Sequence, residues 1–218
     1  MENLEKAILK IKAAMPGLRL LENEPMAEHC SFKIGGPVRA LAVPSDVSSL
    51  SKICSILKEN HIAPLLLGNG TNILFPDEGL PALFIISTER LTKMFLLPDG
   101  AIYAEAGVSL AKLSSFAQQN GLKGLEFASG IPGSLGGGCV MNAGAYGGEI
   151  RQVAVCTEFL DQEGNCHALV GQAQGFGYRR SAFTGTSRII VAGTFALTKA
   201  NPEDCLLYTS PSPRDAHE

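Results

Sequence analysis

Three segments of the chain combine residue types and spacings that can do chemistry. GNGTN (68–72) sets two glycines among Asn69, Thr71 and Asn72, so successive main-chain N–H groups can point one way and hold an anion such as a pyrophosphate. Residues 124–148, GLEFASGIPGSLGGGCVMNAGAYGG, carry nine glycines and no lysine or arginine, with Ile131-Pro132 followed at once by Gly133. Glycine costs folding entropy wherever it stands, so this density needs a reason, either positive φ values or the close approach of something flat or phosphorylated. GFGYRRSAF (175–183) presents Tyr178, Arg179, Arg180 and Ser181 after two glycines. Arginine suits bidentate recognition of a carboxylate or phosphate and stays charged at any working pH.

Each segment also has a plainer reading: a polar turn, a compact turn packed on a sheet, and a solvated arginine pair. Several specific chemistries are excluded. GNGTN is not followed by Gly-Lys-Ser/Thr, so it is no Walker A loop, and SGIPGSLGGG lacks the GxGxxG order of a dinucleotide-binding turn. Cysteines at 30, 54, 139, 156, 166 and 205 form no CxxC pair and the four histidines are scattered, so no metal site is read. The cysteines read as buried, reduced thiols.

The elements that must position these segments follow from hydrophobic spacing. Leu4, Ile8, Ile11 and Met15 mark an amphipathic helix. Residues 40–44 read as a strand, Ser45 or Asp46 as the cap of a helix carrying Leu50, Ile53 and Leu57, and 64–67 as a second strand, a βαβ unit. GNGTN follows, then 73–75 and an apolar run at 82–87. A hairpin is predicted from 94–98 and 101–107 with a tight primed turn at Asp99-Gly100. Ser109 caps a helix ending at Asn120-Gly121. Beyond the glycine-rich segment, 153–161 and 166–170 pair as a second hairpin, and 188–197 reads as a long strand. The fold class is α+β, with two small sheets each flanked by helices. Residues 205–218, rich in Pro and Ser, read as a poorly ordered tail.

Over 218 residues, 45% are hydrophobic and 18% charged, the balance of an ordinary globular protein. The net charge of −3 comes with no basic run, which argues against a nucleic-acid surface or a polybasic membrane anchor. No stretch approaches the roughly 18 apolar residues of a membrane span, and the N-terminus does not read as a signal peptide, so a cytoplasmic location is expected.

Together, SFKIGG (31–36), LGNGTN (67–72), the segment 124–150 and GYRRS (177–181) resemble the UDP-N-acetylenolpyruvoylglucosamine reductase family of peptidoglycan synthesis. The resemblance covers about residues 20–200 and implies the FAD-binding fold shared with vanillyl-alcohol oxidase and p-cresol methylhydroxylase, built of two α+β subdomains at 21–88 and 89–200 after an N-terminal helix at 1–20. It implies non-covalent FAD, NADPH as hydride donor, UDP-N-acetylglucosamine enolpyruvate as substrate, and a monomer. By the same resemblance Asn69, Gly70, Thr71 and Asn72 hold the pyrophosphate, and Ser129, Gly130, Ile131, Pro132, Gly133, Gly136 and Gly137 line the flavin. Asn142, Gly144 and Ala145 complete that wall. Tyr178 and Arg179 bind substrate, with Arg179 the catalytic arginine, while Arg180 is given no role. The family's GSFFKNP-like segment, whose serine protonates the product, and its distal glutamate have no match here. Residues 201–218 match nothing in the family, and a truncated reading frame is expected, giving an impaired reductase or an FAD-binding module without independent activity.

Overall fold

The computed structural model describes residues 2–200 of the chain; the tail expected at 205–218 lies outside the described residues. Helix α1 (Glu2–Ala14) buries Leu4, Ala7, Ile8 and Ile11, one stripe at i, i+3, i+4 and i+7 spacing. Strands β1 (Arg19–Pro25) and β2 (Pro37–Val43) pair antiparallel, and α2 (Val47–Glu59) returns the chain to β3 (Leu65–Leu67) and then β4 (Leu80–Ser87). Of the two candidate caps for α2, Asp46 takes the position: its carboxylate accepts from Ser49 N at 2.7 Å, while Ser45 stands one residue too early and donates to that carboxylate. The Ser49 amide holds the Asp46 carboxyl below its ordinary value.

The first sheet runs β1-β2-β4-β3, with β2 and β3 both parallel to β4. The expected βαβ unit is therefore present with a third strand between its two strands, and residues 73–75 form no strand. The second sheet is antiparallel throughout, in the order β11-β10-β12-β6-β5: β5 (Met94–Leu96), β6 (Ile102–Glu105), β10 (Ala154–Leu160), β11 (Cys166–Val170) and β12 (Ile189–Phe195). Helices α3 (Leu110–Gln119) and α4 (Leu135–Met141) cover one face of it. Two small ladders, β7 (Leu122–Lys123) with β13 (Thr198–Lys199) and β8 (Gly144–Ala145) with β9 (Gly148–Glu149), complete the described α+β fold. No helix among the described residues is long and apolar enough to cross a membrane.

The β5–β6 connection corrects the sequence reading. Leu97 O accepts from Gly100 N at 2.9 Å, so the turn is Leu97-Pro98-Asp99-Gly100, with Gly100 at φ +86. Pro98 occupies the second turn position, and its ring fixes φ near −65° by about 15° either way, which forbids a primed turn there. A longer connection with a left-handed glycine results.

The two sheets share a core. Leu160, Ile189 and Val191 of the second sheet pack with α1, α2, Phe84 and Ile86 of the first half. At the rim, the turn between β10 and β11 lies on α2: Ser51 Oγ donates to Gly164 O and Ser55 Oγ to Glu163 O, each at 2.6 Å. Gly164 sits at φ +89, and a Cβ on it would stand 2.5 Å from Ser51 O. Gly164→Ala therefore forces the turn off α2 while straining its backbone. We expect a loss of about 2 kcal/mol, read as a lower urea midpoint at unchanged slope; an unchanged midpoint would show that this contact does not hold the halves together.

Candidate functional site

The first wall of the site is the loop after β3. Thr88 N donates to Leu67 O at 3.0 Å, closing the strand, and the chain then turns through Gly68–Asn72. Gly70 is at φ +62 and its carbonyl accepts from Ser31 N at 3.0 Å; a Cβ there would collide with the His29 carbonyl oxygen. Only glycine fits. None of the backbone N–H groups of residues 69–73, and none of the side chains of Asn69, Thr71 and Asn72, hydrogen-bonds to another described residue. A run of amides left unpaired among the described residues is a set of donors available to an outside acceptor.

The second wall is α4, which the sequence reading treated as bare glycine-rich backbone. Ser134 caps it, its Oγ accepting from Gly137 N at 3.4 Å, and Leu135 N and Gly136 N donate to Val108 O and Ala106 O at 2.8 and 2.9 Å. Tertiary bonds thus fix a helix that its three glycines disfavour. The missing side chains let it lie close: a Cβ on Gly136 would be 3.1 Å from the Ala106 Cβ. Gly133 and Gly137 differ, because a Cβ on them would meet nothing closer than 3.7 Å (Thr71 Oγ1) and 3.6 Å (Ser134 Oγ). Their open sides face the cleft.

The third wall is the strap from 177 to 188. Ser181 Oγ and Thr184 Oγ1 both donate to Val140 O, at 2.9 and 3.1 Å, tying the strap to the end of α4. Arg179 lies at φ +51, its Nη2 donating to Gly144 O at 3.3 Å, beside the 89% exposed Tyr178 ring at 5.8 Å. At the far end the Arg188 guanidinium lies 5.0 Å over the Phe159 ring.

These walls enclose a cleft of about 650 Å³. It brings together residues 69–72, 131–133, Gly136, Gly137 and Arg179 of the sequence-derived set; Ser129, Gly130, Asn142, Gly144, Ala145 and Tyr178 lie outside its lining. Asn142 is 2% exposed and bonded inward. Arg188, Ile189 and Ile190 line the cleft and were missed, because they open a strand whose pattern reads only as core. Among the described residues, Arg179 and Arg188 are the only charged ones lining it, and no Asp, Glu, His, Lys, Cys or Tyr lines it. Cys139 lies on the buried side of α4, where burial pushes its thiol up to about 12 and keeps it un-ionised. The result is a mostly apolar slot with free amide donors and two cations, a fit for a flat ligand carrying phosphates.

The cleft and fold define a flavin-binding protein: residues 38–169 match the family described as FAD binding domain. The curated relatives narrow the class. The chain is 40% identical over 190 residues to the UDP-N-acetylenolpyruvoylglucosamine reductase of Syntrophomonas wolfei, covering 87% of this chain and 63% of that protein. The Alkaliphilus oremlandii enzyme of the same name is 36% identical, over 94% and 67%. The crystal structure of that reductase from Thermus caldophilus superposes with a TM-score of 0.73 at 27% identity, over 88% of this chain and 66% of that one. The chain belongs to the UDP-N-acetylenolpyruvoylglucosamine reductase family. It spans a little under two thirds of the length of the first of these relatives. p-Cresol methylhydroxylase, at 17% identity and a TM-score of 0.62, shares the fold alone.

The two kinds of glycine separate stability from binding. Gly133→Ala should leave the melting temperature unchanged within about 2 °C and weaken FAD at least about tenfold in a fluorescence titration. Gly70→Ala should lower the melting temperature by about 4–8 °C, the shift of roughly 2 kcal/mol in a chain of this size. Equal effects of the two variants on stability would contradict the division.

Proposed function

We propose that the protein binds FAD non-covalently in this cleft and serves the NADPH-dependent reduction of UDP-N-acetylglucosamine enolpyruvate to UDP-N-acetylmuramate. One observation carries the reading: five consecutive unpaired amides at 69–73 line the same cleft as Gly133 and Gly137, whose Cβ positions are open. In this reading residues 69–72 hold the pyrophosphate, and residues 131–133, Gly136 and Gly137 lie along the ring system, with Ser129, Gly130, Gly144 and Ala145 at its margin. Bound FAD, once reduced by NADPH, supplies the hydride that adds to C3 of the enolpyruvyl group.

The chain's own residues orient and stabilise. Arg179 presents a planar fork to the substrate carboxylate, onto which the charge formed at C2 spreads as the hydride adds at C3; a donor fixed before the reaction stabilises that charge without reorganisation. Tyr178, exposed beside it, gives the substrate an aromatic face. Net acidity is no obstacle, since N–H dipoles and two arginines set the field inside the cleft.

The proton for C2 is a separate matter. The hydroxyls lining the cleft are Thr71, Thr88 and Ser134, and Ser134 is committed to capping α4. No titratable acid among the described residues lines the cleft. That observation favours a second reading of the chain as given, an FAD-binding module without independent turnover. We read the protein as cytoplasmic and monomeric in either case.

Anaerobic stopped-flow separates the two readings. The FAD-loaded chain should be reduced by NADPH in a single turnover, whereas reoxidation by UDP-N-acetylglucosamine enolpyruvate should be slowed by about 10²–10⁴, the usual cost of a missing general acid. Rapid reoxidation would overturn the module reading, and failure to bind FAD would sink both.

A further inference from the structure

We propose that Asn142 is a positioning residue that sets Arg179 through the 177–180 turn, and that it does not contact the cofactor. The inference rests on the reading of Arg179 as the carboxylate-binding group.

The donor and acceptor account is complete. Asn142 Nδ2 donates to Glu149 Oε2 at 2.8 Å and to Gly177 O at 3.0 Å, and Oδ1 accepts from Arg151 N at 2.9 Å. Both amide protons are used, and two acceptors on one side with an N–H on the other fix which atom is nitrogen. The side chain is buried beneath the β8–β9 hairpin. Glu149, which is also ion-paired to Arg151, gives the bracket a charged base.

The turn needs this support. Gly177 N donates to Arg180 O at 2.9 Å, but the return bond, from Arg180 N to Gly177 O, is long at 3.3 Å. Between them Arg179 is held at φ +51, a conformation costly for a residue with a Cβ. Gly177 O therefore takes its second, shorter bond from Asn142. The guanidinium returns to the same hairpin, Nη2 to Gly144 O, two residues beyond Asn142. Backbone and head group of Arg179 are thus referenced to one rigid unit.

Asn142 itself caps α4 at φ 43, ψ 57, a left-handed position that glycine occupies without strain. Asn142→Gly therefore removes the bracket and leaves the backbone free to keep its course. Two measurements test the proposal. In hydrogen exchange of the FAD-loaded chain, the segment 177–182 should exchange at least tenfold faster in Asn142→Gly, with β10 and β12 unchanged. In titrations of the oxidised, FAD-loaded chain with UDP-N-acetylglucosamine enolpyruvate, read as a flavin difference spectrum, Asn142→Gly should weaken binding about tenfold, and less than twofold in the Arg179→Ala background. Should that variant not fold, Glu149→Gln is run in the same cycle, with about a threefold effect expected. Unchanged exchange at 177–182, or equal losses in both backgrounds, would overturn the proposal. An absent difference spectrum in the unaltered chain would instead refute the carboxylate reading of Arg179, while the exchange result would still judge the bracket.

Discussion

Strand β12 is buried on both faces, and the rest of the molecule depends on that. Ile189 and Val191 point into the core that α1 and α2 close, while Ile190 and Phe195 point into the core beneath α3 and α4. The side chains of one strand therefore serve two cores, so neither half can move without exposing the other's apolar surface. Removing such side chains from a packed interior costs about 2–5 kcal/mol each. The cleft is a consequence: Arg188, Ile189 and Ile190 open onto it at the point where the loop of one half faces the helix of the other. The 69–72 loop, whose amides are unpaired among the described residues, lines the same cleft as this strand.

Charge is arranged on the same floor. The strap from 177 to 188 carries an arginine at the edge of each end, pinned in the middle by two hydroxyls on the single carbonyl of Val140. Arg188 spends its flat face on Phe159, and Arg179 spends backbone strain of about 1–3 kcal/mol to hold its direction. Such strain is tolerated only where surrounding bonds over-determine the conformation, and Asn142, Gly144 and Val140 all supply such bonds from the α4 to β9 segment. The glycine-rich segment thus serves twice, as the smooth wall of the cleft and as the frame of the arginine strap.

What could be read from the sequence was whatever local chemistry decides. Ser109 caps α3 and Gly121 stops it because both act within one turn of chain. The amphipathic stripe of α1 and the alternation of β10 and β11 were visible for the same reason. Strand β1 was not, since RLLENEP has only the adjacent pair Leu20-Leu21 ahead of Glu22, Asn23, Glu24 and Pro25, with no period-two pattern, and gains its conformation at the sheet edge from pairing with β2. The insertion of β4 between β2 and β3 is a non-local choice with no signature in any one segment. Pro98 was legible in principle: its fixed φ excludes the primed turn that Asp99-Gly100 alone suggests. At the site, the GNGTN loop, the 131–137 wall and Arg179 stand out by composition. The inward turn of Asn142 does not, because an asparagine among glycines has the same letters whether its amide faces a ligand or Gly177 O.

Helix α4 shows how stability and binding pull apart. A glycine inside a helix costs about 0.8–1 kcal/mol relative to alanine, and α4 has three in succession. At Gly136 and Gly138 that cost is offset, since a Cβ would press within 3.1 and 3.2 Å of Ala106 and Leu110. Gly137 has no such reason: the nearest heavy atom to its Cβ position is 3.6 Å away, so on stability alone alanine is the better residue. Gly133 stands outside the helix, ahead of its cap, and there too the chain's own atoms leave room for a Cβ. The flavin reading proposed above accounts for glycine at both positions, which line the same cleft as the 69–73 amides.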